Sequence, residues 1–165
     1  MSVSSLLVPF HRAAAALDAG VLRKKQLDVE VGEWLNSVVL RMQKKHWCNN
    51  PDEKPHIGPA IFFSVWITPD GVKKNTIFYN IHALKLRELN GHRITSRAFA
   101  AAFRQVFKVF EQSWPNVSVA FGPLTLMQGW VEIDPASCED EIRVLAEKFL
   151  KIDSLIDGLL EQHKA

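Results

Sequence analysis

Apolar residues recur at helical spacing in four segments of the chain. Within residues 28–45, Val31, Leu35 and Val38 fall on one side of a helix. Asp28 suits the N-cap of this helix. The other three segments are residues 9–18, residues 96–113 and the stretch that follows Pro135. The pattern therefore predicts two helices near the N-terminus, one after the middle of the chain and one at its end.

Two central segments alternate with a period of two, which is typical of β-strands. Residues 61–68 are apolar on both faces. Such a strand is either covered on both sides or offers one face to a partner. In the next strand, which begins near Ile77, the apolar phase flips at His82 and Ala83. A flip of one residue predicts a β-bulge at this position.

Residues 117–121 and 124–133 predict two more strands that form a hairpin. The order of elements is then α-α-β-β-α-β-β-α. This order predicts an α+β fold, with a mostly antiparallel four-stranded sheet and helices packed on it. We expect one domain spanning residues 1–165, in which a helical N-terminal segment (residues 1–48) and a proline-rich loop (residues 49–59) precede a mixed α/β segment (residues 60–165).

The composition is that of a globular protein, with 47% hydrophobic and 23% charged residues. No apolar run approaches the ~18 residues that span a bilayer, so we expect no membrane partner. The N-terminal segment lacks the basic start of a secretory signal. The two cysteines, Cys48 and Cys138, lie far apart, which suits a reducing compartment. We therefore expect a cytoplasmic protein.

Charge is distributed unevenly, although the net charge is only +2. Residues 1–110 carry 16 Lys and Arg against 8 Asp and Glu, whereas residues 111–165 carry 4 against 10. The halves either attract each other or offer a basic face to nucleic acid, a phosphate-bearing ligand or an acidic partner. The basic face comprises Lys85, Arg87, Arg93, Arg97, Arg104 and Lys108.

The sequence contains none of the common motifs of phosphate-binding loops, zinc proteases or serine hydrolases. His82 at the predicted bulge and the paired carboxylates Glu132 and Asp134 are the candidate catalytic residues, because bulges often redirect side chains beside a site. His46, Cys48 and His56 are the only cluster of soft metal ligands. A structural zinc normally takes four ligands, so we expect no metal, and we expect no cofactor.

These observations support three hypotheses and point to no particular family. The first is a non-enzymatic binding or interaction module that forms a homodimer, because the final helix and the strand 61–68 are apolar over more surface than a small domain buries. The alternative is a nucleic-acid or phospholigand binder that uses the basic face. The second alternative is an enzyme with a site near His82, Glu132 and Asp134.

Phe and Trp side chains are expected mainly in the core, with an apolar ligand pocket as the alternative. Trp66 and Tyr79 would offer stacking surfaces if they are exposed.

Overall fold

The structure is a computed structural model that describes residues 1–53 and 58–165. Five antiparallel strands form one sheet in the order of the chain. The strands are β1 (Leu27–Trp34), β2 (Ser37–Lys44), β3 (Ala60–Ile67), β4 (Thr76–Leu84) and β5 (Thr125–Glu132). The α+β class is therefore confirmed, while the predicted number of four strands is wrong.

Six α-helices accompany the sheet in the described residues. They are α1 (Leu7–Ala15), α2 (Ala19–Lys25), α3 (Pro69–Lys74), α4 (Ser96–Phe107), α5 (Glu139–Phe149) and α6 (Asp153–Gln162). Short 3-10 helices lie at Val3–Leu6, Lys45–Trp47, Leu86–Glu88 and Glu111–Ser113. None of these helices is long and apolar enough to cross a membrane.

The helix predicted for residues 28–45 is wrong, because this segment is the β1–β2 hairpin. Leu35, which completed the apparent helical stripe, lies in the two-residue turn and is 98% exposed. Leu35 and Asn36 have φ angles of 50° and 62°. Two consecutive positive φ angles define the type I′ turn, whose twist matches that of the paired strands.

Two other predicted elements differ from the structure, and two local predictions are confirmed. The predicted strand 117–121 is reduced to a single bridge between Ser118 and Gln128. The predicted C-terminal helix is divided into α5 and α6. The predicted start of α4 is confirmed, since the Thr95 hydroxyl accepts a hydrogen bond from the Ala98 N–H. The predicted bulge is also present, as a register shift between Ile81 and His82.

The sheet has one face covered by helices. Phe63 on this face stacks on Phe149 of α5, with ring centroids 4.5 Å apart. Tyr79 is fully buried and its hydroxyl donates to the Pro115 carbonyl at 2.7 Å, so it offers no stacking surface. The covered face includes Val38, Leu40, Met42, Ile61, Phe63, Val65, Ile77, Tyr79 and Ile81, all fully buried.

The apolar stripe of the last two helices belongs to this same core. Ile142, Leu145 and Phe149 of α5 are buried, and so are Ile156 and Leu159 of α6. The apolar residues of the final helices therefore serve intramolecular packing. These residues therefore give no support to the predicted homodimer. The remaining argument for it is the second apolar face of β3.

Candidate functional site: the open face of the sheet

The structure does not bring the three catalytic candidates together. Glu132 pairs with Thr76 at one end of β4, whereas His82 lies near the other end. At ~3.4 Å per residue, the six steps from Thr76 to His82 span about 20 Å. The Asp134 carboxylate accepts a hydrogen bond from the Ala136 N–H in a local turn. His82 and Glu132 therefore lie at opposite ends of β4, and an enzyme site that combines them stays a prediction without support from this geometry.

The predicted basic face contains one residue that serves the fold. The Arg104 guanidinium donates hydrogen bonds of 3.0–3.2 Å to four backbone carbonyls, those of Phe121, Gly122, Thr125 and Leu126. Arg104 therefore anchors the start of β5 and the segment before it to α4. The remaining members are exposed and stay a predicted surface for nucleic acid or an acidic partner: Lys85, Arg87, Arg93, Arg97 and Lys108.

The side of the sheet opposite the helices carries a row of polar residues, and we call this side the open face. Residues that pair directly across antiparallel strands project from the same face. The register places one polar residue from each strand in a line across the sheet. In strand order they are Glu30, Arg41, Ser64, Asn80 and Gln128.

Apolar and aromatic residues flank this polar row on the open face. One flanking row crosses from β2 to β5 and includes Trp66 stacked against Phe78, with centroids 5.5 Å apart. On the other side, the rings of Phe62 and His82 lie 5.0 Å apart. The flanking rows consist of Val39, Trp66, Phe78 and Trp130 on one side and Phe62 and His82 on the other.

A cavity of about 300 Å³ opens on this face between β1 and β4. The Trp34 ring forms one wall by folding over Gly32, where an added Cβ would lie only 3.0 Å from Trp34 Cη2. The volume is at the lower end of the range of small-molecule sites, roughly 300–1,000 Å³. The cavity is lined by Trp34, Leu35, Ser37, Val39, Arg41, Phe62, Ser64, Trp66 and His82.

Arg41 is the charged residue of this cavity. Its guanidinium carbon lies 3.6 Å from the centroid of the Phe62 ring, in a cation–π contact. Its Nε and Nη2 atoms are buried and have no hydrogen-bond partner among the described residues. Burial lowers the pKa of the guanidinium, an effect that the nearby Cys48 partly opposes. Arginine nevertheless stays charged in proteins, so the cost of burying these two atoms without a partner is not relieved by loss of a proton.

His82 is held as a neutral ring beside Arg41. Burial lowers its pKa, the backbone carbonyl of Leu124 raises it in part, and Arg41 lowers it further. The Asn80 Nδ2 atom lies 3.0 Å from His82 Nε2 and donates to Gln128 Oε1 at 3.2 Å. Asn80 is only 1% exposed, and its Oδ1 atom has no partner in the described residues. The centre of the open face thus holds unmet donors on Arg41 and an unmet acceptor on Asn80.

The tip of the β1–β2 hairpin adds an unusual apolar residue to the edge of the cavity. Leu35 lines the cavity although it is almost fully exposed and has a positive φ angle. A left-handed conformation costs a bulky residue roughly 1–2 kcal/mol. An exposed leucine at a positive φ angle therefore lowers the stability of the fold. Strained residues of this kind cluster at functional sites.

A second cluster of charges lies on the covered side and is paired internally. Lys44 contacts Asp153 at 2.7 Å and also Asp157. Asp157 accepts a further hydrogen bond from Trp47 Nε1 and pairs with His46 Nε2. Burial opposes the charge on Lys44, but its hydrogen bonds to the two carboxylates outweigh burial and raise its pKa. This cluster joins the basic N-terminal half to the acidic C-terminal half. Its charges are therefore explained by their pairing within the fold.

The predicted metal ligands do not form a cluster in the described residues. His46 is paired with Asp157, and the Cys48 thiol lies 3.6 Å from the Lys45 carbonyl. His56 lies outside the described residues. Residues 1–53 and 58–165 contain no group of three or more His, Cys, Asp or Glu placed to hold a metal ion.

No protein-family model, characterised protein or solved structure matches this chain. Its function must therefore be inferred from the geometry of the open face. Sequence reasoning singled out His82 and considered Trp66, but it missed Arg41 because residues 28–45 were assigned to a helix. Once that segment is recognised as strands, the signal is visible. Arg41, Ser64 and Asn80 are polar residues that each lie between two apolar neighbours within a strand.

Proposed function

We propose that the protein is a non-enzymatic binding protein that holds a small molecule on the open face of the sheet. The observation that supports this proposal best is the cavity of about 300 Å³ walled by Trp34, Phe62 and Trp66. Ligand sites in proteins combine apolar and aromatic walls with a few polar groups. Here the polar groups are the Arg41 guanidinium and the Ser37 and Ser64 hydroxyls.

The chemistry of the cavity favours binding over catalysis. His82 is the titratable base in its lining, and Asn80 and the Leu124 backbone both interact with its ring. The carboxylates Glu132 and Asp134 lie beyond its reach, as described above. A general base must reach the proton that it removes, and a ring already bonded to its neighbours is poorly placed for that role.

A second copy of the chain is the competing occupant of the open face. Trp34 and Trp130 on this face are 42% and 43% exposed, and aromatic residues are enriched in protein interfaces. The homodimer predicted from the sequence would use this surface. A dimer that buries the cavity would leave no access for a small molecule, so the two occupants are distinguishable.

The first test compares a cavity-filling variant with a matched control, using the neutral probe 2-naphthamide. We expect the wild type to bind the probe and Val39→Phe, which fills the cavity, to weaken binding at least tenfold in isothermal titration calorimetry. Val109→Phe makes the same change at a site that is 83% exposed on the helical side, and it should leave binding unchanged.

Native mass spectrometry of the gently purified protein distinguishes the occupants. The proposal predicts a monomer, with or without a retained small molecule. A bare dimer that Trp66→Ser converts to a monomer would overturn the proposal in favour of self-association. Equal loss of probe binding in Val39→Phe and Val109→Phe would also overturn it.

A further inference from the structure

The unmet hydrogen-bond donors of Arg41 point to the charge of the ligand. Other part-buried cations in the described residues have partners: Lys44 contacts Asp153 and Asp157, Arg104 donates to four carbonyls, and Arg143 pairs with Glu147. The guanidinium of Arg41 rests on the Phe62 ring, and a ring beneath the guanidinium plane cannot satisfy the in-plane N–H groups of Nε and Nη2. A negatively charged group would satisfy them, since Arg pairs preferentially with carboxylates and phosphates.

The position of the guanidinium makes such a contact feasible. Arg41 lines the cavity, while its Nε and Nη2 atoms are turned into the packed surface. These two atoms form one edge of the planar group, and parallel N–H bonds on one edge suit a planar carboxylate. The proposed contact therefore requires the Arg41 side chain to turn this edge toward the cavity when the ligand binds.

The charge balance of the cavity favours a single negative charge. His82 is neutral because burial lowers its pKa, so Arg41 supplies the one formal positive charge of the lining. One positive charge balances a carboxylate monoanion, whereas a second negative charge on the ligand would find no partner cation in this lining. A carboxylate therefore fits better than a phosphate dianion.

The walls of the cavity define the rest of the ligand. Trp34 and Trp66 provide flat aromatic surfaces, and Val39 and Leu35 provide aliphatic ones. A planar apolar body would bury its surface against these side chains. The small volume limits it to about the size of one or two fused rings.

We infer that the ligand of the open face is a small organic carboxylate with a planar apolar body, whose negative charge is held by Arg41. This inference rests on the proposed function, since it names the class of ligand for the same cavity.

The test uses two probes of nearly equal shape, 2-naphthoate and its neutral analogue 2-naphthamide. Wild-type protein should bind the acid at least tenfold more tightly than the amide in calorimetry at neutral pH. Arg41→Met should remove this preference, leaving acid and amide with similar affinities. Retained binding of the amide shows that the variant still folds. Arg97→Met removes an exposed arginine of α4 and should preserve the preference.

The outcomes separate this inference from the proposed function. If the amide binds wild-type protein as tightly as the acid, the ligand is not an anion, although the cavity remains a binding site. If 2-naphthyl phosphate binds more tightly than 2-naphthoate, the inference of a monoanion is wrong. A preference that survives in Arg41→Met, or disappears in Arg97→Met, would contradict the role of Arg41. Failure of both the acid and the amide to bind would instead overturn the proposed function.

Discussion

Lys44 and Arg41 belong to the same strand, and their side chains project from opposite faces of the sheet. Lys44 meets two carboxylates of α6, and its side chain is only 6% exposed. Arg41 packs on Phe62, and its Nε and Nη2 atoms have no hydrogen-bond partner in the described residues. A buried charge is costly unless it is paired. The fold explains the charge of Lys44, whereas the unpartnered donors of Arg41 are the observation behind our proposal of an anionic ligand.

Replacement of Lys44 tests the cost of breaking the buried cluster. Lys44→Met should lower the free energy of unfolding by about 3 kcal/mol, because it leaves the buried Asp153 with Lys25 as its remaining cation. Urea denaturation measures the change. Lys74→Met breaks a pair with Asp70 whose partners are 71% and 67% exposed. It should cost no more than about 0.5 kcal/mol, and equal losses in the two variants would show that the buried cluster contributes no more than an exposed pair.

The neutral state of His82 predicts a pH dependence of stability. Because burial lowers its pKa below the ordinary value of 6.5, the unfolded chain binds a proton at a higher pH than the folded protein does. The contribution of His82 is fully present above about pH 6.5 and declines as the pH falls toward the lowered pKa. The Tm of the wild type should therefore decrease between about pH 7.5 and about pH 5.5.

His82→Gln should reduce this decrease, since glutamine does not titrate. Asp157 does not account for the decrease. Hydrogen bonds from Lys44, Trp47 and His46 outweigh burial and lower the pKa of its carboxyl group. The stability that Asp157 contributes is therefore lost only below about pH 4. His11→Gln changes an exposed histidine of α1 and should retain the full decrease of the wild type. Identical pH profiles for wild type and His82→Gln would show that His82 is not the titrating group.

At the scale of the element, Leu35 in the β1–β2 turn has two opposite effects. Its positive φ angle lowers the stability of the fold, while its side chain lines the cavity. Leu35→Asn should raise the free energy of unfolding by about 1 kcal/mol, because asparagine adopts a positive φ angle more easily and the exposed leucine side chain buries little. The same change should weaken binding of 2-naphthamide, because it removes an apolar wall of the cavity. Urea denaturation and calorimetry measure the two effects.

Leu35→Ala is the matched control for this turn. Alanine removes the same apolar wall but lacks the polar side chain with which asparagine stabilises a positive φ angle, so it should weaken binding without raising stability. A Leu35→Asn variant that is no more stable than Leu35→Ala would contradict the assignment of strain to the turn.

The sequence predicted some elements well, and its main failure, at residues 28–45, has a physical reason. Helix α4 was predictable because its Phe residues keep helical spacing and Thr95 caps it. Residues 28–45 were ambiguous, since Val31, Leu35 and Val38 satisfy helical spacing while Val38, Leu40 and Met42 satisfy strand alternation. The ambiguity depended on Leu35, which a type I′ turn does not normally contain. Short amphipathic segments of this kind are decided by tertiary pairing rather than by local pattern.

The same misassignment limited what could be predicted of the site. His82 was identified from a phase flip that the register shift confirms. The polar row could not be predicted, because it exists only when residues from all strands align in the folded register. Arg41 and Asn80 are 39 residues apart in sequence and belong to strands that both pair with β3. Such a site is a property of the sheet rather than of any segment.

At the scale of the whole molecule, the sheet divides the protein into a packed side and the open face that we propose as a binding surface. Trp47 and Trp114 belong to the packed side, where they contact Phe63 and Phe149. Trp34 and Trp66 line the cavity on the open face. The tryptophans therefore report separately on the two sides of the sheet.

This division provides the most direct test of the binding surface. In a ¹H–¹⁵N NMR titration with 2-naphthoate, the indole N–H signals, assigned by Trp→Phe variants, can be followed one by one. We expect the signals of Trp34 and Trp66 to shift progressively, while those of Trp47 and Trp114 stay in place. Shifts confined to Trp47 and Trp114, or no shift at any indole up to the solubility limit of the acid, would contradict a binding site on the open face.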